Sequence, residues 1–311
     1  MYDVITIGSS LVDIFISSSD LEATREGERQ VLNYGDKLSL TDFHLFTGGG
    51  ASNTAVALAR LGYKTAVISE TGADEFADLI TRDFVNEGVS THLLIQEKLE
   101  HTGGSVLLVG AKGARIAMTH RGAASMLDAY DIPAFWLGKA SWIHLSSISG
   151  QLPALNKIFQ TLLKDQDTKL SWNPGKKELE LLNSGQFDLS QIPCEVFFVN
   201  DQEWAMVEKL QEQILANFPQ VVITMGAKGG DVYLYGKKSF HYQAQPSRLV
   251  DATGAGDAFA AAYVAALLSS KPVEEAIVWG VRNASNVLAF YGAKMGLLRR
   301  SQMLELLAVQ A

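Results

Sequence analysis

The sequence predicts an α/β fold: a mostly parallel sheet covered by helices on both faces, with a smaller sheet projecting from it. Three observations carry this expectation. Short apolar runs alternate with amphipathic stretches of helical period, two irregular stretches break that rhythm, and the chain reads as almost wholly helical after Asp251. Unbroken apolar strands bounded by helices indicate a parallel sheet buried on both faces. With 311 residues, 47% of them hydrophobic, including 5 Trp and 14 Phe, the chain can build one large domain over residues 1–311, and intrinsic disorder is excluded.

Along the chain, strands are predicted at Val4–Gly8, Thr65–Ser69, Trp142–Leu145, Lys169–Trp172, Val196–Val199 and Val221–Thr224, each a short run rich in β-branched or aromatic residues. The amphipathic stretches Ser52–Leu61, Asp74–Asn86, Leu152–Leu163 and Gln202–Leu215 predict helices between them. Two late helices are expected, from Gly254 through Leu268 and from Val273 to about Phe290. The stretch Ile14–Phe46 is mostly polar, with alternating fragments at Ile14–Ile16 and Val31–Leu40. His101–Val109 and Ala114–Thr119 read as a hairpin turning at Gly110–Gly113. Long structureless loops are uncommon in compact domains, so insertions at about 14–46 and 101–119 are expected to form the small sheet.

Composition narrows the partners. Basic residues number 26 and acidic ones 34, giving a net charge of −8 with no Lys/Arg-rich run, which argues against nucleic acid or an anionic membrane as partner. A small phosphorylated ligand stays open, because backbone amides can hold a phosphate inside an acidic protein. A single cysteine, Cys194 among apolar neighbours, allows no internal disulfide and suggests a buried thiol. The opening MYDVITIG reads as a strand, not a signal peptide, and the apolar stretch Ala258–Leu268 is too short to span a bilayer. A soluble, cytoplasmic protein is expected.

Several chemistries are absent. None of the Gly-Lys pairs at Gly138, Gly175 and Gly236 is followed by Ser or Thr, which excludes a Walker-type phosphate loop. The first strand ends in Gly8-Ser9-Ser10-Leu11-Val12-Asp13, which is not a dinucleotide-binding turn. The histidines show no zinc-binding spacing.

The most informative segment is Asp251-Ala-Thr-Gly-Ala-Gly-Asp257-Ala-Phe259, which opens a helix. Gly254, Ala255 and Gly256 there present free N–H groups at the positive end of the helix dipole, a receptor for an anion with no side chain in the way. Asp257, in the first turn, either favours the helix start or faces the anion and takes a proton from an attacking hydroxyl. A second glycine-rich turn, Gly48-Gly49-Gly50-Ala51-Ser52-Asn53, also opens a helix; it is either a tight packing turn or a close approach to a polyhydroxyl ligand, with Asn53 as donor and acceptor. Asn200-Asp-Gln-Glu203 and Thr224-Met-Gly226-Ala-Lys-Gly229 each end an apolar strand, with helix capping and a hairpin turn as their plain structural readings. All these segments fall at strand C-termini or helix starts, where ligands bind in open α/β sheets.

Taken together, GGGASNTAVALARLG at 48–62 and DATGAGDAF at 251–259, with Asn200-x-x-Glu203 and Thr224-x-Gly226-x-x-Gly229 in order between them, resemble the ribokinase-like (PfkB) family of carbohydrate and nucleoside kinases. The resemblance runs from Asp13 to Gly292 and implies a ribokinase-like three-layer α/β/α sandwich with a β-sheet lid. By it, Asp257 is the catalytic base for a primary hydroxyl, and Gly254, Ala255 and Gly256 form the anion hole for the γ-phosphoryl group. Asp13, Gly48, Gly49 and Asn53 bind the sugar. Asn200 and Glu203 organise Mg²⁺ and phosphate, largely through water. Thr224, Gly226 and Gly229 form the nucleotide-binding turn, and Asn283 reaches toward the adenine. Asp251, the Thr253 carbonyl and the loop near Gly292 match the place of a monovalent cation such as K⁺. The lid covers the sugar and serves in many relatives as a homodimer contact.

Gly50 and Ser52 stand where many sugar kinases carry Lys and Ala, which leaves the substrate open. The expected activity is ATP- and Mg²⁺-dependent phosphorylation of a sugar's primary hydroxyl. The alternatives are an adenosine-type nucleoside kinase acting on the ribose 5′-hydroxyl, with Phe15 and Phe46 lining a base slot; a phosphosugar kinase, relying on Lys112, Arg115 and Arg121; and a silent sugar or nucleotide sensor.

Overall fold

In the computed structural model of the chain, residues 1–18, 25–26, 29–30, 32–97, 99–109, 115–165 and 167–308 are described. The strands are β1 (Tyr2–Ile7), β2 (Leu11–Ser17), β3 (Arg25–Glu26), β4 (Arg29–Gln30), β5 (Asp42–Gly48), β6 (Thr65–Thr71), β7 (Leu94–Gln96) and β8 (Gly103–Val109). They continue as β9 (Arg115–His120), β10 (Ala140–Leu145), β11 (Lys169–Trp172), β12 (Val196–Asn200), β13 (Gln220–Thr224), β14 (Gly230–Leu234) and β15 (Lys237–Tyr242). The α-helices are α1 (Gly50–Arg60), α2 (Glu75–Asn86), α3 (Ala134–Leu137), α4 (Leu152–Lys164), α5 (Lys176–Asn183), α6 (Asp201–Met206), α7 (Gln211–Asn217), α8 (Ala255–Leu268), α9 (Val273–Val287) and α10 (Arg300–Ala308).

Nine strands form the main sheet in the order β15-β14-β13-β12-β11-β10-β1-β6-β7. Every pair from β13 across to β7 is parallel, and β14 and β15 extend that edge antiparallel. Side chains alternate between two apolar layers. Val196 and Phe198 face α1, α2, α8 and α9, while Phe197 and Val199 face α4, α5 and α7. Both faces are covered, which is why the strand sequences lack polar alternation. The chain leaves β1 toward β6 and β7, then crosses to β10 on the other side. The junction of β1 with β10 is therefore the topological switch point, where a crevice opens beyond the strand ends.

A second sheet, in the order β5-β2-β8-β9, projects as the lid. Its central pair β2–β8 is parallel and its outer pairs are antiparallel. Two of its boundaries differ from the sequence reading. Pairing begins at Leu11, so Asp13 already lies within the lid. Val31 lies outside the described residues, and 32–40 form no strand; the pairing falls on Asp42–Gly48 instead. A Tyr34–Gly35 turn, in which Asp36 Oδ2 accepts from the Asn33 amide at 2.9 Å, replaces extended chain there. The Gly110–Gly113 turn lies outside the described residues, but β8 and β9 pair as expected.

The helix expected at Gln202–Leu215 is broken. Buried Val207 turns into the core between α6 and a 3₁₀ turn at Glu208–Leu210, after which α7 starts. Helix α9 ends at Val287, short of Phe290, because the residues after it turn back beneath α8. Cys194 is buried as expected, and burial pushes its thiol pKa up. Among the described residues no helix is long and apolar enough to cross a membrane.

Leu155, fully buried on α4, anchors that helix to the sheet. Leu155→Ala is expected to lower stability by about 2–5 kcal/mol, measured as a fall in the urea midpoint at unchanged slope.

Candidate active site

Two helix N-termini face the crevice, and they are built differently. At α1, the Gly50 amide donates to Ser9 Oγ at 3.2 Å, and the Ala51 and Ser52 amides donate to the Ser9 carbonyl at 3.2 and 3.4 Å. Those donors are occupied. At α8 the cap is Gly254, in a left-handed conformation with φ 74° and no capping side chain. A Cβ on Gly254 would strike Ala293, whereas a Cβ on Gly256 would meet nothing within 4 Å. Among the described residues no hydrogen bond reaches the amides of Gly256 and Asp257. The Ala255 amide, expected to be free, donates to the Ala252 carbonyl at 3.4 Å, so the unspent donors of this open cradle are the Gly256 and Asp257 amides, which with a favourable dipole suit an anion.

Asp257 stands half-buried in the first turn of α8. Its Oδ2 accepts a hydrogen bond from Asn53 Nδ2 at 2.7 Å, across a sequence separation of 204. A Cβ placed on Gly50 would sit 3.8 Å from Asp257 Oδ1 and 2.9 Å from Ser146 Oγ. The early glycine turn, the end of β10 and the start of α8 therefore share one space at the switch point. Burial pushes the Asp257 carboxyl up to about 6; the Asn53 hydrogen bond lowers it, and the negative charge of Glu203 raises it further.

On the lid side, Asp13 is buried in β2 and accepts a hydrogen bond from Ser105 Oγ of β8. Its carboxylate lies where a Cβ on Gly48 would go, and a Cβ on Gly49 would strike the Ser9 carbonyl. At Gly49, with φ 97° and backbone in the way, only glycine fits, while a side chain at Gly48 would displace the Asp13 carboxylate. Asp13, Gly48, Gly49 and Asn53 are brought together around the β2–β5 end and the α1 start.

On the opposite side, β12 and β13 end side by side, with Asn200 opposite Thr224. Asn200 Oδ1 accepts from the Glu203 amide at 2.8 Å, and Glu203 Oε2 accepts from the Asn200 amide at 2.9 Å. This is a capping box. Burial raises the Glu203 pKa, and among the described residues no hydrogen bond reaches its Oε1. Gly226 (φ 55°) faces open space, while Gly229 (φ 83°) packs against Tyr242. Asp251 Oδ1 accepts from the Thr253 amide and hydroxyl at 3.0 and 2.8 Å, and its Oδ2 accepts from the Gly292 amide at 3.0 Å. These three residues form one loop junction behind the cradle.

Asn283 is not brought to the cleft. It is fully buried in α9, where Nδ2 donates to the Ala258 carbonyl at 2.8 Å and Oδ1 accepts from the Leu298 amide at 2.9 Å. Both ends of the amide are used inside the core, which corrects its expected reach toward adenine. Ser146 was missed by sequence reasoning. Its buried Oγ, like Asn53 Oδ1, has no hydrogen-bond partner among the described residues, as expected of groups that await a polar ligand. Its position just after an apolar strand is the signal that marks it.

The chain matches the pfkB family carbohydrate kinase profile over residues 3–297. It is similar to a ribokinase of Bacillus subtilis, 25% identical over 316 residues that cover 99% of this chain and 100% of the relative. Among solved structures it resembles Arabidopsis thaliana ribokinase complexed with ribose and ATP, with a TM-score of 0.79 and 21% identity over 98% of each chain. It also resembles adenosine kinase from Sinorhizobium meliloti, with a TM-score of 0.77 and 20% identity over 100% of this chain and 99% of the other. At these identities the structural likenesses speak for the fold.

The raised pKa of Asp257 has a consequence for stability. The native state holds the Asp257 proton more tightly than the unfolded chain, so this contribution is fully present below the unfolded-chain value of 3.8 and is lost as pH rises through about 6. Asp257→Asn removes that penalty. The variant is expected to be more stable than wild type at pH 8, by on the order of 2 kcal/mol, and to gain much less at pH 4, as read from urea midpoints at the two pH values.

Proposed function

Because the chain belongs to the pfkB family of carbohydrate kinases, we propose that it transfers the γ-phosphoryl group of ATP to a primary hydroxyl of a sugar. The observation that carries this reading is the Asn53–Asp257 hydrogen bond, which joins the two glycine-rich signatures in one cleft. The residues present fit the implied groups. The open cradle at Gly256 and the uncapped start of α8 suit the phosphate chain, and Thr224, Gly226 and Gly229 frame the nucleotide side. Glu203, held by Asn200, would take Mg²⁺ through water, and Asp251, the Thr253 carbonyl and the Gly292 loop would hold a monovalent cation such as K⁺. Bound ATP supplies the phosphoryl group, and Mg²⁺ neutralises part of its charge.

The chain's own residues do the rest. Asp13, the Gly48–Gly49 backbone, Asn53 and Ser146 orient the acceptor. Asp257 accepts the hydroxyl proton as the acceptor oxygen bonds to phosphorus and the bond to the ADP oxygen breaks. The start of α8 at Gly254–Gly256, with the unspent Gly256 and Asp257 amides, faces the charge on the transferring group. A carboxyl titrating at about 6 is mostly ionised at pH 7 and is a competent base.

One observation favours a nucleoside as a second reading. A cavity of about 180 Å³ lies under the lid beside Asp251, lined by Phe15, Val109, Leu249 and Tyr291. Phe15 packs edge-on against Phe46 at 5.6 Å, and Tyr291 stacks on His44 at 5.7 Å. Such an aromatic slot suits a planar base. The phosphosugar alternative gains no comparable support, since Lys112 and the side chain of Arg115 lie outside the described residues.

The face of the lid turned away from the cleft is apolar. Ile14, Phe43, Leu45, Val106, Ile116 and Met118 project from it across paired strands, and Phe43 is 62% exposed. A patch of this kind suits a homodimer through the lid. The same reading places the enzyme in the cytoplasm, where ATP is available.

ADP release measured with pentoses, hexoses, sugar acids and nucleosides tests the function; release with none of them overturns it, and release with nucleosides alone selects the second reading. Asp257→Asn is expected to lower kcat by about 10²–10⁴-fold at nearly unchanged nucleotide affinity, and wild-type kcat/KM is expected to fall as pH drops below about 6, because a protonated Asp257 cannot accept the hydroxyl proton. Met118→Glu is expected to convert a dimer to monomer in sedimentation velocity, with the fold retained.

A further inference from the structure

Lys294 lies outside every motif, yet its side chain is only 9% exposed. An ammonium has three N–H donors, and all three are engaged here. Nζ donates to Thr47 Oγ1 at 2.8 Å, to Ser52 Oγ at 2.6 Å and to Asp83 Oδ2 at 2.7 Å. Thr47 Oγ1 in turn donates to Asp83 Oδ2 at 2.6 Å. The backbone is held as well: Arg60 Nη1 donates to the Lys294 carbonyl at 2.8 Å while its other nitrogens grip Glu87 at 2.6 and 2.8 Å.

The partners of this ammonium flank the acceptor pocket. Thr47 immediately precedes the Gly48–Gly49 turn, and Ser52 immediately precedes Asn53. Lys294 itself follows Gly292, whose amide holds Asp251, and Ala293, which packs beneath Gly254 at the start of α8. One side chain thus ties both acceptor-side segments to the loop that supports the anion cradle. Neutralising the charge requires Asp83 alone; the two hydroxyl contacts serve geometry. Transfer needs reacting atoms about 3–3.5 Å apart, and a misplacement of about 1 Å costs about 10²-fold in rate.

We propose that Lys294 is a positioning residue whose ammonium sets the spacing between the acceptor pocket and the anion cradle, directing the phosphoryl group to the acceptor rather than to water. This rests on the kinase reading above. The test compares wild type, Lys294→Gln, Ser52→Ala and the distant core variant Leu155→Ala in three measurements. These are ADP release with the best acceptor of the panel, ADP release without acceptor, and the urea midpoint. Lys294→Gln and Ser52→Ala are expected to lower acceptor-dependent release by about 10–100-fold and to raise the acceptor-free share of total release, with Mg-ADP affinity by calorimetry unchanged. Leu155→Ala is expected to lose stability at an unchanged ratio of the two rates. Should Ser52→Ala keep the wild-type ratio, or Lys294→Gln lose only stability, the positioning role is overturned while the kinase reading stands. A wild type that releases no ADP with any acceptor overturns the kinase reading, and the inference with it.

Discussion

The hydrogen bond between Asn53 and Asp257 is the contact on which the cleft depends. It joins the start of α1 to the start of α8 at 2.7 Å, and neither helix alone makes a site. Helix α1 brings the Gly48–Gly50 turn, and α8 brings the unspent Gly256 and Asp257 amides. The sheet makes the meeting possible, because β1 and β10 part at the switch point and leave room beyond their ends. The price of the contact is a desolvated carboxylate, visible as the raised pKa of Asp257.

Glycine is used at this site for two separate physical reasons. At Gly48 and Gly49 it permits backbone to approach a carboxylate and a carbonyl that any Cβ would strike. At Gly256 it leaves volume in front of a helix end whose donors have no partner in the protein. The contrast with α1 sharpens the second point. Ser9 consumes the first amides of that helix, so only one of the two neighbouring helix ends can receive an anion.

Much of this was legible in the sequence. The parallel strands showed as unbroken apolar runs, and the glycine-rich helix starts showed because glycine there has no propensity to explain it. What escaped depends on partners remote in the chain. Ser146 is one serine after a strand, and nothing local separates it from a turn residue. Asn283 sits in an amphipathic helix, where an amide serving the core cannot be told from one serving a ligand. Val207 broke a helix whose spacing read as continuous, because tertiary burial overrides period. Strand β15 carries a polar, edge-type sequence, and β14 is a short run behind a glycine-rich turn, so beyond that turn neither was marked as a strand. The pKa of Asp257 needed the assembled cleft before any shift could be read.

The segment following α9 reaches back to Thr47, Arg60, Asp83 and Asp251, with sequence separations as large as 247. Such distant closures slow folding. They also fix an order during synthesis, since residues 292–297 leave the ribosome last among those that shape the cleft. A nascent chain can complete most of its sheet while both halves of the pocket remain unlinked. Closure of the cleft therefore waits for residues 292–297, long after the strands of both sheets have been made.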